Sequence, residues 1–146
     1  MATPVLEDCG KVDLEIQMSF SMHFTIDADL DRRLILEKIY GSWTKETARS
    51  YHEEFVHVAA PLIGRPWAKV VNLTNWKSSY PDMIKVVGEH LQWCRENGMT
   101  LSINIIDNPI TKSQLKKMFS IGGTGNISKI VRSREEADKL LVQNGY

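Results

Sequence analysis

Gly64-Arg65-Pro66-Trp67-Ala68-Lys69-Val70-Val71-Asn72-Leu73-Thr74-Asn75-Trp76-Lys77-Ser78-Ser79-Tyr80-Pro81 is the stretch whose reading decides the fold. Gly64 tolerates a left-handed helix cap and Pro66 lacks an amide hydrogen, so together they end the preceding segment. Trp67 to Val71 reads as a short apolar strand. Asn72 to Tyr80 is polar apart from Leu73, Trp76 and Tyr80, and predicts a loop. Pro81 is a favoured first helical residue, and Met83, Ile84, Val87, Leu91 and Cys94 follow at helical spacing until Gly98 stops the run. The stretch is therefore a strand-loop-helix unit.

Outward from it the alternation continues. Leu101, Ile103 and Ile105 alternate with Ser102 and Asn104, predicting a strand with one apolar face and one mixed, partly wet face. Asp107-Asn108-Pro109 breaks that strand. Thr111 to Phe119 predicts a short basic helix that docks through Leu115, Met118 and Phe119, and Gly122, Gly123 and Gly125 end it in a cap and turn. Ile127 to Val131 reads as a last strand, and Ser133-Arg134-Glu135-Glu136 has the spacing of a capping box before Ala137, Leu140 and Leu141. On the other side, Thr44 is the expected N-cap of a helix entered at Gly41-Ser42-Trp43 and carrying Ala48, Tyr51, Phe55, Val58, Ala59 and Leu62 on one face. Phe20, Met22, Phe24 and Ile26 alternate with polar residues, Asp27 to Arg32 turns the chain, and Leu34 to Tyr40 reads as the antiparallel partner. Residues 1–18 read as a loosely ordered lead-in, although Leu14, Ile16 and Met18 alternate, and residues 19–146 as a single domain. The order β-β-α-β-α-β-α-β-α specifies an α/β fold with right-handed crossovers: a mixed, mostly parallel sheet with an N-terminal antiparallel hairpin.

Composition excludes several classes of function. A chain of 146 residues with 42% hydrophobic and 25% charged residues is an ordinary globular domain that needs no disulfide or metal staple. Its 18 basic and 18 acidic side chains cancel, which argues against nucleic acid as a partner. No apolar run is long enough for an integral membrane segment and no leader pattern opens the chain, so the expected location is cytoplasmic. Cys9 and Cys94 are far apart, and Cys94 on the apolar stripe of its helix reads as a small hydrophobe.

At this point the residues resemble a known group. Gly64-Arg65-Pro66-Trp67-Ala68 and Val70-Val71-Asn72-Leu73-Thr74-Asn75-Trp76 are similar to the SpoIIAA-like family of the STAS superfamily, named for sulfate transporters and anti-sigma-factor antagonists. Gly41-Ser42-Trp43-Thr44, Glu96-Asn97-Gly98 and Ser133-Arg134-Glu135-Glu136-Ala137 share the likeness, which spans about residues 20 to 142. The resemblance implies a bacterial regulatory module without cofactor or enzymatic activity that docks a protein partner. It also implies that a serine in the loop before a helix is phosphorylated to switch docking off. The matching residues are Ser78 and Ser79, where a helix N-terminus would favour a phosphate. Lys77 and Tyr80-Pro81 depart from the family's Asp-Ser-small-Gly pattern, and the alternative is that both serines only cap the helix.

Trp76, Lys77, Ser78, Ser79 and Tyr80 are thus the expected partner-binding residues, since large amphipathic rings contribute strongly when a partner buries them. The alternative for Trp76 and Tyr80 is a lid over the core. The same exposed aromatic loop would also serve a homodimer. His52 and His57 lie on different helix faces, and His23 and His90 lack ligand spacing, so all four read as surface or boundary histidines and no metal is expected. The Gly122-Gly125 run precedes a strand instead of opening a helix, which excludes a phosphate loop. A second function remains open: Met83, Trp93, Met118 and Phe119 over a sheet would line a pocket for a lipid or other hydrophobic small molecule. Lys112, Lys116 and Lys117 read as a solvated face.

Overall fold

The structure, a computed structural model, describes residues 23–146. It contains β1 (Phe24–Asp29), β2 (Leu34–Trp43), α1 (Lys45–Ala59) with a short 3-10 turn at Ala60–Leu62, β3 (Trp67–Ser79), α2 (Pro81–Glu96), β4 (Met99–Ile105), α3 (Pro109–Gly122), β5 (Ser128–Val131) and α4 (Arg134–Gln143). One sheet runs in the order β1-β2-β3-β4-β5. β1 and β2 are antiparallel and every other pair is parallel, as the alternation of elements requires. The expected lead-in, 1–18, and the first residues of the expected opening strand, Phe20 to Met22, lie outside the described residues, as does Cys9.

Both faces of the sheet are used. Ile35, Ile39, Trp67, Val71 and Leu73 face a core with α1, α2 and α3, which includes Tyr51, Phe55, Leu91 and Met118. Leu34, Ala68, Val70, Leu101 and Ile103 face α4 through Ala137 and Leu141. The single helix on this second face leaves part of it open: Thr25, Asp27, Lys38, Asn72 and Thr74 line a shallow depression of about 410 Å³. The wet face expected on β4 is absent, because Ser102 and Asn104 lie under the three-helix layer at 0% and 3% exposure.

Caps behave as their chemistry dictates. Thr44, Asn108 and Ser133 accept from first-turn amides of α1, α3 and α4. The Ser-x-x-Glu pattern is only half a box, since Glu136 Oε1 accepts from the amide of Arg132 at 3.0 Å while Ser133 Oγ accepts from Glu136 at 3.1 Å. Gly123 ends α3 in the left-handed region (φ 68°), whereas Gly122 belongs to the helix crossing. A Cβ on Gly122 would stand 2.7 Å from the carbonyl oxygen of Gly88 and 2.8 Å from Cβ of Leu91 on α2.

Several boundaries differ from the sequence reading, α3 among them, which runs Pro109–Gly122 instead of Thr111 to Phe119. β1 continues to Asp29, leaving a tighter turn, and Gly41–Trp43 finish β2 instead of opening a helix. Asn72–Ser79 is not a loop but the second half of a thirteen-residue strand. The polarity that suggested a loop arises from irregular pairing. From Lys38↔Asn72 to Tyr40↔Asn75, β2 advances two residues while β3 advances three, and from Gly41↔Trp76 to Ser42↔Ser78 it advances one against two. Each extra residue in β3 is a bulge that reverses the alternation of side chains. Asn72 Oδ1 accepts from the amide and hydroxyl of Thr74 at the first bulge. Gly41 supplies the positive φ of 68° opposite Trp76.

Candidate functional site

The bulges decide what the β3 end can present. Strict alternation would place Trp76 with Asn72 and Thr74 on the open face; the phase reversal turns it into the core with Val71 and Leu73, where it is 4% exposed. Trp76 is therefore a lid over the core and is corrected as a contact residue. Its Nε1 is buried and has no hydrogen-bond partner. Lys77 remains exposed, and Tyr80 is 59% exposed at the junction of β3 and α2. Ser78 pairs with Ser42 in the sheet ladder. Ser79 is buried, its carbonyl accepting from Gln114 Nε2 of α3 at 3.2 Å. Ser79 Oγ and Gln114 Oε1 are both buried and unpartnered, so Ser79 does not cap α2. The N-cap is Tyr80, with no side-chain bond, and the amide of Met83 closes onto its carbonyl at 3.0 Å.

The Gln114 bond sets the start of α3 beside the end of β3. Ile110, one turn earlier on α3, is 69% exposed. The carboxyl ends of β2, β3 and β4 lead directly into the starts of α1, α2 and α3, so this end of the sheet carries an exposed tyrosine, an exposed isoleucine, Lys77 and Asp82. It is the end at which open α/β sheets receive ligands.

Beneath it lies a buried polar cluster that the sequence reading missed. Glu37 of β2 and Lys69 of β3 form an ion pair of 3.4 Å with side chains at most 4% exposed. Tyr51 donates a short hydrogen bond to Glu37 Oε1, and Lys69 Nζ lies 3.4 Å from the Tyr51 hydroxyl and 5.2 Å from the centre of the Phe55 ring. Burial raises the Glu37 carboxyl, with the Lys69 ammonium and the Tyr51 hydroxyl pulling it partly back. Burial and the Glu37 charge push Tyr51 well above its ordinary range. His90 is buried, contrary to the surface or boundary reading, with Nδ1 2.8 Å from Nδ1 of His52 and Nε2 3.5 Å from Cys94 Sγ. Burial, the Lys69 charge and His52 hold His90 well below the usual imidazole range, and burial lowers half-exposed His52 less. Burial pushes the Cys94 thiol up to about 12, which leaves it an inert, protonated core group. The available sequence signal was Lys69 itself, a lone cation inside an apolar strand that would be buried in a parallel sheet. Among the described residues no group of three or more His, Cys, Asp or Glu is arranged to hold a metal ion.

The space at the centre of the three-helix layer is small. Trp43, Lys69, Trp76, Met83, Leu91 and Met118 help to enclose a cavity of about 30 Å³, the volume of roughly one water molecule. A cavity of that size does not favour the carrier reading.

No protein-family model matches the sequence, and the search of curated proteins found no match. Solved structures do match. A protein of the DUF3478 family from Shewanella loihica PV-4, described as having a SpoIIAA-like fold, superposes with a TM-score of 0.58 at 13% identity, over 81% of this chain and 91% of that one. The fold is SpoIIAA-like. The anti-sigma factor antagonist SpoIIAA in its unphosphorylated form matches this chain with a TM-score of 0.55 at 11% identity, over 82% of this chain and 97% of that one. An anti-sigma factor antagonist from Mycobacterium paratuberculosis gives 0.54 at 15% identity, over 82% and 94%. No helix among the described residues is long and apolar enough to cross a membrane.

Proposed function

We propose that this chain is a regulatory protein-interaction module, without catalytic chemistry of its own, that docks a protein partner at the junction of β3 and α2. The observation that carries the reading is Tyr80: a large ring, 59% exposed, held at a strand end whose backbone is fixed by Trp43 and Gln114. An amphipathic ring on a rigid support contributes binding energy with little ordering cost. The likeness of the fold to anti-sigma factor antagonists supports docking as the mode of action. Lys77 and Tyr80 make the contact, and Trp76 acts from the core by fixing the strand end beneath them. Of the two serines, Ser78 is the residue proposed for regulatory phosphorylation, because Ser79 Oγ is buried.

The test is affinity capture from lysate of the source organism with wild type beside a Lys77→Ala, Tyr80→Ala variant, each followed by intact mass. A specific protein retained by wild type and lost by the folded variant supports the site. Equal capture by both overturns it. A phosphorylated species that disappears in Ser78→Ala supports the switch, and its persistence in that variant refutes the assignment.

A further inference from the structure

Beyond the β3–α2 junction, the sheet has a second feature that asks for a partner. β5 pairs with β4 alone among the described strands, so the outer amides and carbonyls of Ser128–Val131 face a groove of about 760 Å³ between α3 and α4. Phe119, Ile130 and Leu140 form its apolar part, and Lys112, Lys116 and Lys129 line it with positive charge. Ser128 Oγ, in the same wall, is buried and has no hydrogen-bond partner. The register sets Lys129 opposite Ile103 on the α4 face and Ile130 opposite Asn104 on the α3 face. A strand added here would need apolar residues on one face and acids on the other. Lysines on an edge repel another basic edge and select an acidic one.

A sequence with that pattern precedes the described residues. Val12-Asp13-Leu14-Glu15-Ile16-Gln17-Met18 alternates apolar and polar positions without a break, and residues 1–22 hold Glu7, Asp8, Asp13 and Glu15 against Lys11 alone. We infer that residues 12–18 of one copy add to the β5 edge of a second copy, with Leu14 and Ile16 against Phe119 and Ile130, and Asp13 and Glu15 toward Lys129. The segment does not reach its own β5. Met18 to His23 spans at most about 18 Å, whereas a strand outside β5 lies five strand spacings from β1, about 24 Å. Reciprocal exchange closes a dimer, and one-way repetition builds a longer chain of subunits.

The test uses the full chain alone. Light scattering after size exclusion, from low to high micromolar concentration, is expected to show mass rising with concentration and falling with added salt. Asp13→Lys with Glu15→Lys, or Lys116→Glu with Lys129→Glu, is expected to weaken association by about tenfold or more, while mixing the two variants restores a hetero-complex. All four positions are charged and the two lysines are exposed, and circular dichroism checks that each variant is folded. A wild type that stays monomeric at every concentration overturns the inference. So does association that persists in the Asp13→Lys, Glu15→Lys variant.

Discussion

Replacing Lys69 by Met removes the only cation paired with the Glu37 carboxylate among the described residues while keeping a long, polarisable side chain over Phe55. Both partners are almost fully buried, so the loss is not screened by solvent. Breaking one side of such a pair leaves an uncompensated charge and costs about 3–5 kcal/mol, a large part of the typical 5–15 kcal/mol of a domain. In Glu37→Gln with Lys69→Met no charge remains, and the side-chain carbonyl of the introduced glutamine still accepts from Tyr51. That double variant is expected within about 1.5 kcal/mol of wild type, because replacing both members of a buried pair is often close to neutral. The assay is urea unfolding at neutral pH on wild type, both singles and the double, with slopes compared before midpoints. With a slope of about 2 kcal/mol per molar, Lys69→Met lowers the midpoint by roughly 2 M. If Lys69→Met lies within about 1 kcal/mol of wild type, or the two changes simply add, the pair is not the coupled unit described here.

Acid should weaken the fold through His90. Its folded value is depressed, so the unfolded chain takes up the proton first, and stability present above the ordinary value of 6.5 is lost as pH falls below it. Glu37 acts in the opposite sense, its raised folded value favouring the fold at acid and opposing it as pH rises through that value. Urea unfolding at successive pH values should therefore show a slope of up to about 1.4 kcal/mol per unit below 6.5 from His90, removed in His90→Gln. Gly122→Ala forces a methyl group into α2 and should cost about 1–3 kcal/mol in thermal or urea unfolding; no loss would mean that the helices separate freely. Trp76→Ala should cost about 3–5 kcal/mol, and Tyr80→Ala less than about 0.5 kcal/mol. Equal costs would contradict the assignment of one ring to the core and the other to the surface.

The order of elements along the chain and the antiparallel start of a mostly parallel sheet were legible because strands alternate with helices and connections have one hand. The caps of α1 and α4 were legible because Thr44 and Ser133 act locally. What sequence spacing did not show is the β3 end. Two bulges against β2 carry Asn72–Ser79 through a polar stretch as strand, the first of them turns Trp76 inward, and a bulge depends on the partner strand, not on the residues that form it. The Glu37–Lys69–Tyr51 cluster was hidden for the same reason, since its members are separated in sequence and meet only through sheet register and the position of α1. Among the expected site residues, Lys77 and Tyr80 stand where a partner can reach them, and Trp76 and Ser79 do not.

The most direct test of docking at the β3–α2 junction is site-specific photo-crosslinking in cells of the source organism. A benzophenone side chain replaces Tyr80 in one strain and Val142 of α4, still more open at 69% exposure, in another. A discrete crosslinked protein is expected from position 80 and none of that mass from position 142. The same product from both positions, or none from position 80, would contradict docking at this junction.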